Sequence, residues 1–421
     1  MKFDSDRLDE IVDLMLETVC TARKRVRIAG DDYPAELVKS KFMKLDGEHI
    51  RFVLDCMREN TTKMKKLILF ELRKVFSKRL ALIALIGIIL FSALLSFSTF
   101  QNKYAFDPNI GEGTGKTAVE IDKEIAAKYE GILTDEKVQQ IMSDFAPTSD
   151  LHGLSAIYVY QNAMQSAAFS RFSDKEGNWN GLSVSDVFGN EEIKIGYVDG
   201  WLSTSKNMVR FFIALALAVI IMLAPIFSGE YEGVDNIILT SKYGKTKCTT
   251  AKVAAGILTA ILTTALVAAF NLLLALIFYG TEGLDCSILF APSDYVEGFI
   301  SFNITCGTLL KYQILLAFTC TLSVTGITLF LSAISKNQIV ALVAAIAIFL
   351  FPVLLPITEA NPLFRLVGLL PIYHALAISL LSVEQMSNGM LYAIWAIPAA
   401  LLFLGVGAGI SRRVFAKHQV S

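Results

Sequence analysis

Residues 253–278 read VAAGILTAILTTALVAAFNLLLALIF, a run without a single charged side chain. A helix needs about 20 apolar residues to cross the roughly 30 Å hydrocarbon layer of a bilayer, and this run is long enough. Five other predominantly apolar runs are also long enough: Leu80–Phe100, Met208–Phe227, Leu310–Ile334, Gln338–Ile357 and Leu391–Ile410. One such run alone would suit a large buried core helix. Six of them, separated by charged or Gly/Pro-bearing loops, point instead to an all-α membrane protein with six transmembrane helices. The composition agrees, with 54% hydrophobic and only 18% charged residues, an apolar excess over ordinary soluble domains.

Lys and Arg resist translocation, so their distribution sets orientation. Lys65, Lys66, Arg73, Lys74, Lys78 and Arg79 precede the first run, Lys242, Lys245, Lys247 and Lys252 lie between the second and third, Lys336 follows the fourth, and Arg412, Arg413 and Lys417 follow the sixth. The 280–309 loop has no Lys or Arg, and the 358–389 loop has only Arg365. The expected arrangement is a multi-pass protein of the cytoplasmic membrane with both termini cytosolic. Residues 101–207 then lie outside, with nine Lys and Arg against sixteen Asp and Glu.

That outer segment is too long for a plain loop and should fold on its own. Helical spacing recurs at Ile121, Ile125 and Tyr129, then at Val138, Ile141 and Phe145 behind a Thr134 cap with Asp135 and Glu136 in the first turn. A mainly helical extracytoplasmic domain is expected, ending at EEIKIGYVDGW with Trp201 at the interfacial aromatic belt. Within it, GEGTGKT at 111–117 imitates a phosphate-binding loop, but G-x-x-x-x-G-K-[ST] would need glycine where Ile110 stands. Cytosolic ATP does not reach that side, and the stretch reads as a flexible stalk.

Six scattered cysteines make no disulfide framework. Cys286 and Cys306 share an outer loop, which permits a bridge without requiring one. No Cys/His metal spacing occurs, and no metal or cofactor is expected on this chain.

Residues 1–63 are polar and helical in pattern, as RLDEIVDLMLETV and GEHIRFVLDCM illustrate, and are too short for a sizeable core. RIAGDDYPAELVKSKF followed by CMRENTTK resembles the C-terminal module of replication-initiator proteins carried on mobile elements. The resemblance covers residues 1–63 and implies a fusion, with Met64 opening an unrelated membrane protein; a cytosolic docking domain is the other reading. Residues 64–79 form a basic amphipathic juxtamembrane helix, with Leu69, Leu72, Val75 and Phe76 at helical spacing, suited to anionic membrane lipid.

The inner loop 228–252, SGEYEGVDNIILTSKYGKTKCTTAK, places Ile237, Ile238 and Leu239 between charges, where an apolar triplet needs a cover. This loop resembles the signature loop of ABC-2 type permeases, the membrane subunits of ATP-binding-cassette exporters. In that resemblance Glu230, Glu232 and Gly233 open the loop, Ile238 and Leu239 are its paired aliphatics, and Lys252 starts the third span. The family often has Pro then Arg after the aliphatics; TSKYGK stands here, leaving Lys242 or Lys245 as substitutes. The resemblance covers residues 64–421 and implies a six-span subunit paired with a second permease subunit. It also implies a separate ATPase subunit that uses ATP and Mg and drives export of a peptide, lipid or drug-like substrate.

The 358–389 stretch, apolar and broken by Pro362 and Pro371, is then an outer re-entrant segment in which Glu359, Arg365, His374 and Glu384 either line an exit or snorkel to the interface. Asn271, Thr319 and Ser323, with Thr321 and Thr325, either face a polar path or serve as glue between helices. GVGAG at 405–409 permits close helix approach. A membrane receptor or sensor using the outer domain for ligand binding is the alternative function, although no signalling module is visible inside. No H-E-x-x-H or G-x-S-x-G occurs, so catalysis by this chain is not expected. No nucleic acid is an expected partner of residues 64–421.

Overall fold

In hydrocarbon each backbone N–H and C=O must find its partner within the segment, so long apolar runs fold as helices. The computed structural model describes residues 64–146, 161–231, 244–292, 303–356, 363–376 and 389–417, and is built in this way. α1 (Met64–Ser77) passes through Lys78 into α2 (Arg79–Gln101). A polar region follows: β1 (Tyr104–Asp107), β2 (Gly111–Thr114), α3 (Lys116–Tyr129), β3 (Gly131–Ile132), α4 (Asp135–Asp144), α5 (Ala163–Phe172), α6 (Val184–Phe188) and β4 (Lys194–Ile195). The long helices resume with α7 (Asp199–Leu223), its short continuation α8 (Pro225–Ser228), α9 (Thr249–Tyr279), α10 (Cys306–Ile334) and α11 (Gln338–Leu350). Two short helices, α12 (Phe364–Val367) and α13 (Pro371–Ala375), precede α14 (Gly389–Lys417).

Among the described residues five helices are long and apolar enough to cross a membrane: α2, α7 with α8, α9 with the π-helical turn Gly244–Cys248 before it, α10, and Ile394–Lys417 of α14. The fifth expected run differs. After α11 a 3-10 turn (Phe351–Leu354) takes over, leaving 17 apolar residues from Gln338 to Leu354. Pro352 is the physical cause, because it has no N–H to continue the ladder and its ring crowds the preceding turn. The other helices extend past the apolar runs. α7 begins nine residues before Met208 because its polar first turns pack inside the polar region, where Asp199, Trp201 and Ser205 are buried. α10 begins at Cys306, where the Thr305 hydroxyl accepts the Thr308 N–H at 3.2 Å.

Helices α7 and α10 form the centre of the bundle, with 72% and 67% of their apolar windows buried, against 17% for α2 and 22% for α14. The peripheral helices turn Leu82, Ile83, Leu90, Leu94, Leu401 and Leu402 outward. Such continuous exposed apolar surface is unfavourable in water and suits hydrocarbon, so the chain is compatible with a membrane protein. α10 and α14 touch backbone to backbone: a Cβ on Gly407 would meet the Gly326 carbonyl oxygen at 2.1 Å, and one on Gly326 would meet the Phe403 carbonyl oxygen at 2.3 Å. Within GVGAG the close approach therefore belongs to Gly407, while Gly405 and Gly409 face open space.

The polar region holds the two helices read from spacing. α3 buries Ile121, Ile125 and Tyr129, and α4 buries Val138 and Ile141 behind Thr134, whose hydroxyl accepts the Lys137 N–H at 3.3 Å. Two small antiparallel sheets accompany them, β1 with β2 and β3 with β4. GEGTGKT is thus ordered and not a stalk: residues 111–114 are β2, Gly115 turns the chain at φ 58°, and Lys116 opens α3. The Lys116 side chain is 82% exposed and pairs with Glu120 at 3.5 Å. Trp201 is 2% exposed, packed within the protein, and its indole donates to the Glu282 carbonyl at 2.7 Å. Cys286 and Cys306 lie opposite each other beside the Ser287–Thr305 bridge as free, buried thiols.

Candidate functional site

In α1 the buried face is not the expected apolar stripe. Leu67, Glu71 and Val75, four residues apart, turn inward, whereas Leu69 is 66% exposed. An acid on the inner face of a basic helix must find cations, since an isolated buried charge costs several kcal/mol, about 3–5 when a pair is broken. Glu71 meets Lys252, which lies in the first turn of α9 with 0% of its side chain exposed; Nζ donates to Glu71 Oε1 at 2.9 Å. The same ammonium donates to Glu230 Oε1, and Lys74 of α1 donates to that oxygen too. Lys78 stands beside them with its ammonium 3.4 Å from the Pro225 carbonyl.

Two buried acids, the buried Lys252 and the half-buried Lys74 therefore tie three segments together: α1, the exit from α8 and the entry to α9. Burial alone would raise the Glu230 carboxyl, but the charges of Lys252 and Lys74 outweigh it and hold the group at about 2. Burial, followed by repulsion from Lys74, pulls Lys78 down to about 8. Glu230 Oε2 has no hydrogen-bond partner among the described residues. Neighbouring contacts fix the same end of the bundle to α10 and α14. The Tyr231 hydroxyl donates to Ala333 O at 2.5 Å, Ser332 Oγ takes the N–H groups of Phe227 and Ser228 and donates to Ala224 O, and Phe415 packs on the Phe227 and Tyr231 rings.

Of the loop residues singled out in the sequence, Glu230 and Lys252 are brought together here. Glu232, Gly233, Ile237, Ile238, Leu239 and Lys242 fall outside the described residues, as do residues 1–63, Glu359 and Glu384. Arg365 sits in α12, with its side chain outside the described set. Asn271, Thr319 and Ser323 are buried in helix contacts: Asn271 donates to Val267 O at 2.8 Å and to Ser92 at 3.4 Å, Thr319 to Leu316 O, and Ser323 to Thr319 O. A Thr264–Thr321 hydrogen bond of 2.9 Å links α9 to α10. Their donors bond within and between helices, whereas Asn271 Oδ1 has no hydrogen-bond partner among the described residues.

Glu71 and Lys74 escaped sequence reasoning, although a signal existed. Glu71 is the one acid in residues 64–79, among Lys65, Lys66, Arg73, Lys74, Lys78 and Arg79. Among the described residues no group of three or more His, Cys, Asp or Glu could hold a metal ion.

Residues 1–82 match a family of unknown function (DUF6017). The match runs past Met64 into α2, so it does not stop at the junction expected after residue 63. No curated protein matches the chain, and no solved structure matches it.

Proposed function

We propose that residues 64–421 are the permease subunit of an ATP-binding-cassette exporter of the ABC-2 type. The observation that carries this reading is the buried Glu71–Lys252–Glu230–Lys74 cluster at the base of the 228–252 loop. A loop that receives force from a motor must pass it to helices rather than absorb it. Here both ends of the loop and the juxtamembrane helix are joined by charges of which Glu71, Glu230 and Lys252 are buried. In this reading a separate ATPase subunit, with ATP and Mg, closes beneath the loop, presses on Ile238 and Leu239, and tilts α7 and α9 together. A second permease subunit completes the path, and the polar region stands outside.

The helix of residues 338–354 supports six spans despite its brevity. Thirteen α-helical and four 3-10 residues rise about 27 Å, close to the thickness of the hydrocarbon layer. Residues 1–63 are read as a fused segment that transport does not need.

The test is native purification of the full chain from its own cells, as the parent and as Ile238→Asp/Leu239→Asp. The parent should co-elute with an ATPase, and the variant should insert normally yet lose it by about tenfold or more, because charges then face an apolar contact. Absence of an ATPase from the parent complex would overturn the proposal. Labelling of Lys245 by an impermeant reagent from outside would overturn the sidedness.

A further inference from the structure

The opposite end of the bundle carries a second site. Where α2 and α7 leave the apolar layer and meet the polar region, a cavity of about 400 Å³ opens, within the range of small-molecule sites. Its charged lining comprises Lys103, Asp122, Asp199, Lys206 and Arg210. α7 supplies most of it, because Asp199, Ser203, Lys206 and Arg210 recur at helical spacing and so share one face.

The two acids are already engaged. Asp199 pairs with Lys103, and Asp122 accepts the Ala163 N–H at 3.0 Å at the start of α5. Lys206 and Arg210 are exposed, and Arg210 has no ion-pair partner among the described residues. Arg210 is also the last charged residue before the apolar stretch Phe211–Leu223. At the same level the Asn207 amide donates to Thr99 on α2 at 2.9 Å. The floor of the cavity therefore lies where hydrocarbon gives way to headgroups, the depth at which long cationic side chains meet lipid phosphate.

We infer that this cavity binds an organic phosphate at the membrane boundary, gripped by the Arg210 guanidinium and the Lys206 ammonium. A guanidinium fork beside an ammonium matches a phosphate oxyanion better than it matches a neutral sugar or an apolar chain. The phosphate belongs either to an anionic lipid or to a soluble molecule. The inference rests on the membrane placement and not on coupling to an ATPase, so its failure would leave the proposed function standing.

The experiment uses the full chain purified in a neutral maltoside, with thermal unfolding followed as dihexanoyl-phosphatidylglycerol, dihexanoyl-glycerol or inorganic phosphate is titrated. Saturable stabilisation by phosphatidylglycerol, with no effect of the phosphate-free dihexanoyl-glycerol, supports the site and identifies a lipid. Equal stabilisation by inorganic phosphate supports it and identifies a soluble source. Lys206→Gln/Arg210→Gln should weaken the response about tenfold or more, while Lys206→Arg/Arg210→Lys should keep most of it. Arg210→Gln alone, at an exposed position, guards against a folding failure of the double variant. Stabilisation by dihexanoyl-glycerol equal to that by phosphatidylglycerol, a response that the neutral variants retain, or no response to either phosphate would overturn the inference.

Discussion

Lys252→Met keeps the length of the side chain and deletes its charge, which makes it the sharpest probe of the buried cluster. Lys252 is fully enclosed and Glu71 and Glu230 are 8% and 2% exposed, so water cannot replace the lost ammonium. At 2.9 Å, and with an effective dielectric of about 20, the Lys252–Glu71 attraction is about 6 kcal/mol before desolvation is subtracted. Glu230 keeps Lys74 and is partly protected, whereas Glu71 loses the ammonium bonded to it. The expected cost is about 3–5 kcal/mol, mostly the penalty of stranding a carboxylate. Adding Glu71→Gln removes the stranded charge and should recover about half of the loss, a coupling energy of about 2–3 kcal/mol.

Denaturant unfolding in detergent, read from the fluorescence of Trp179, Trp201 and Trp395, gives all four corners of the cycle. A Lys252→Met variant within about 0.5 kcal/mol of the parent, or two costs that simply add, would refute the reasoning. The pH profile offers a second check. Glu230 sits at about 2 against an ordinary 4.5, so its contribution is complete above about 4.5 and is lost as pH falls through about 2. In Lys252→Met the folded-state value moves up toward 4.5, so that acid-side loss should be smaller and finish at a higher pH.

Gly407→Val should destabilise the chain by about 3 kcal/mol or more, because its Cβ would meet backbone that cannot rotate away, while Gly405→Ala and Gly409→Ala should be close to neutral in the same unfolding assay. Asp122 is pushed up to about 7 from 3.8, first by burial and then by Asp199, with Lys103, Lys206 and Arg210 also lining its cavity. Stability should therefore fall as pH rises from about 4 to 7 and level off above. Asp122→Asn, which can still accept the Ala163 N–H, should flatten that slope and gain up to about 4 kcal/mol at pH 8. Thr134→Ala should cost about 1 kcal/mol through loss of the α4 cap, measured as a lower midpoint of unfolding.

What could be read from the sequence was whatever depends on near neighbours along the chain. Apolar runs located the long helices, and the Thr134 cap and the spacing of Ile121, Ile125 and Tyr129 located two helices of the polar region. The head of α7 lies outside its apolar run because hydropathy marks where the apolar stretch begins, not where the helix begins; the polar turns from Asp199 are helical for reasons of tertiary packing. The site was half visible. Glu230 and Lys252 stood out in the loop pattern, but their partner Glu71 lies 181 residues from Lys252, and Lys74 lies 156 residues from Glu230. No local period reports such meetings. The GEGTGKT stretch shows the opposite error: its glycines suggested mobility, whereas one of them makes the turn that joins β2 to α3.

The thirty residues from Asp199 to Ser228 make an almost unbroken rod about 45 Å long. Lys103 grips its head, and Glu230, two residues beyond its foot, is gripped by Lys252 and Lys74. Pivoting such a rod by one degree about its midpoint shifts each tip by about 0.4 Å, in opposite senses. Ten degrees would carry each tip about 4 Å, more than the length of a hydrogen bond. With ion pairs at both extremities, any rigid pivot of the rod would disturb the contacts at one end and the other together.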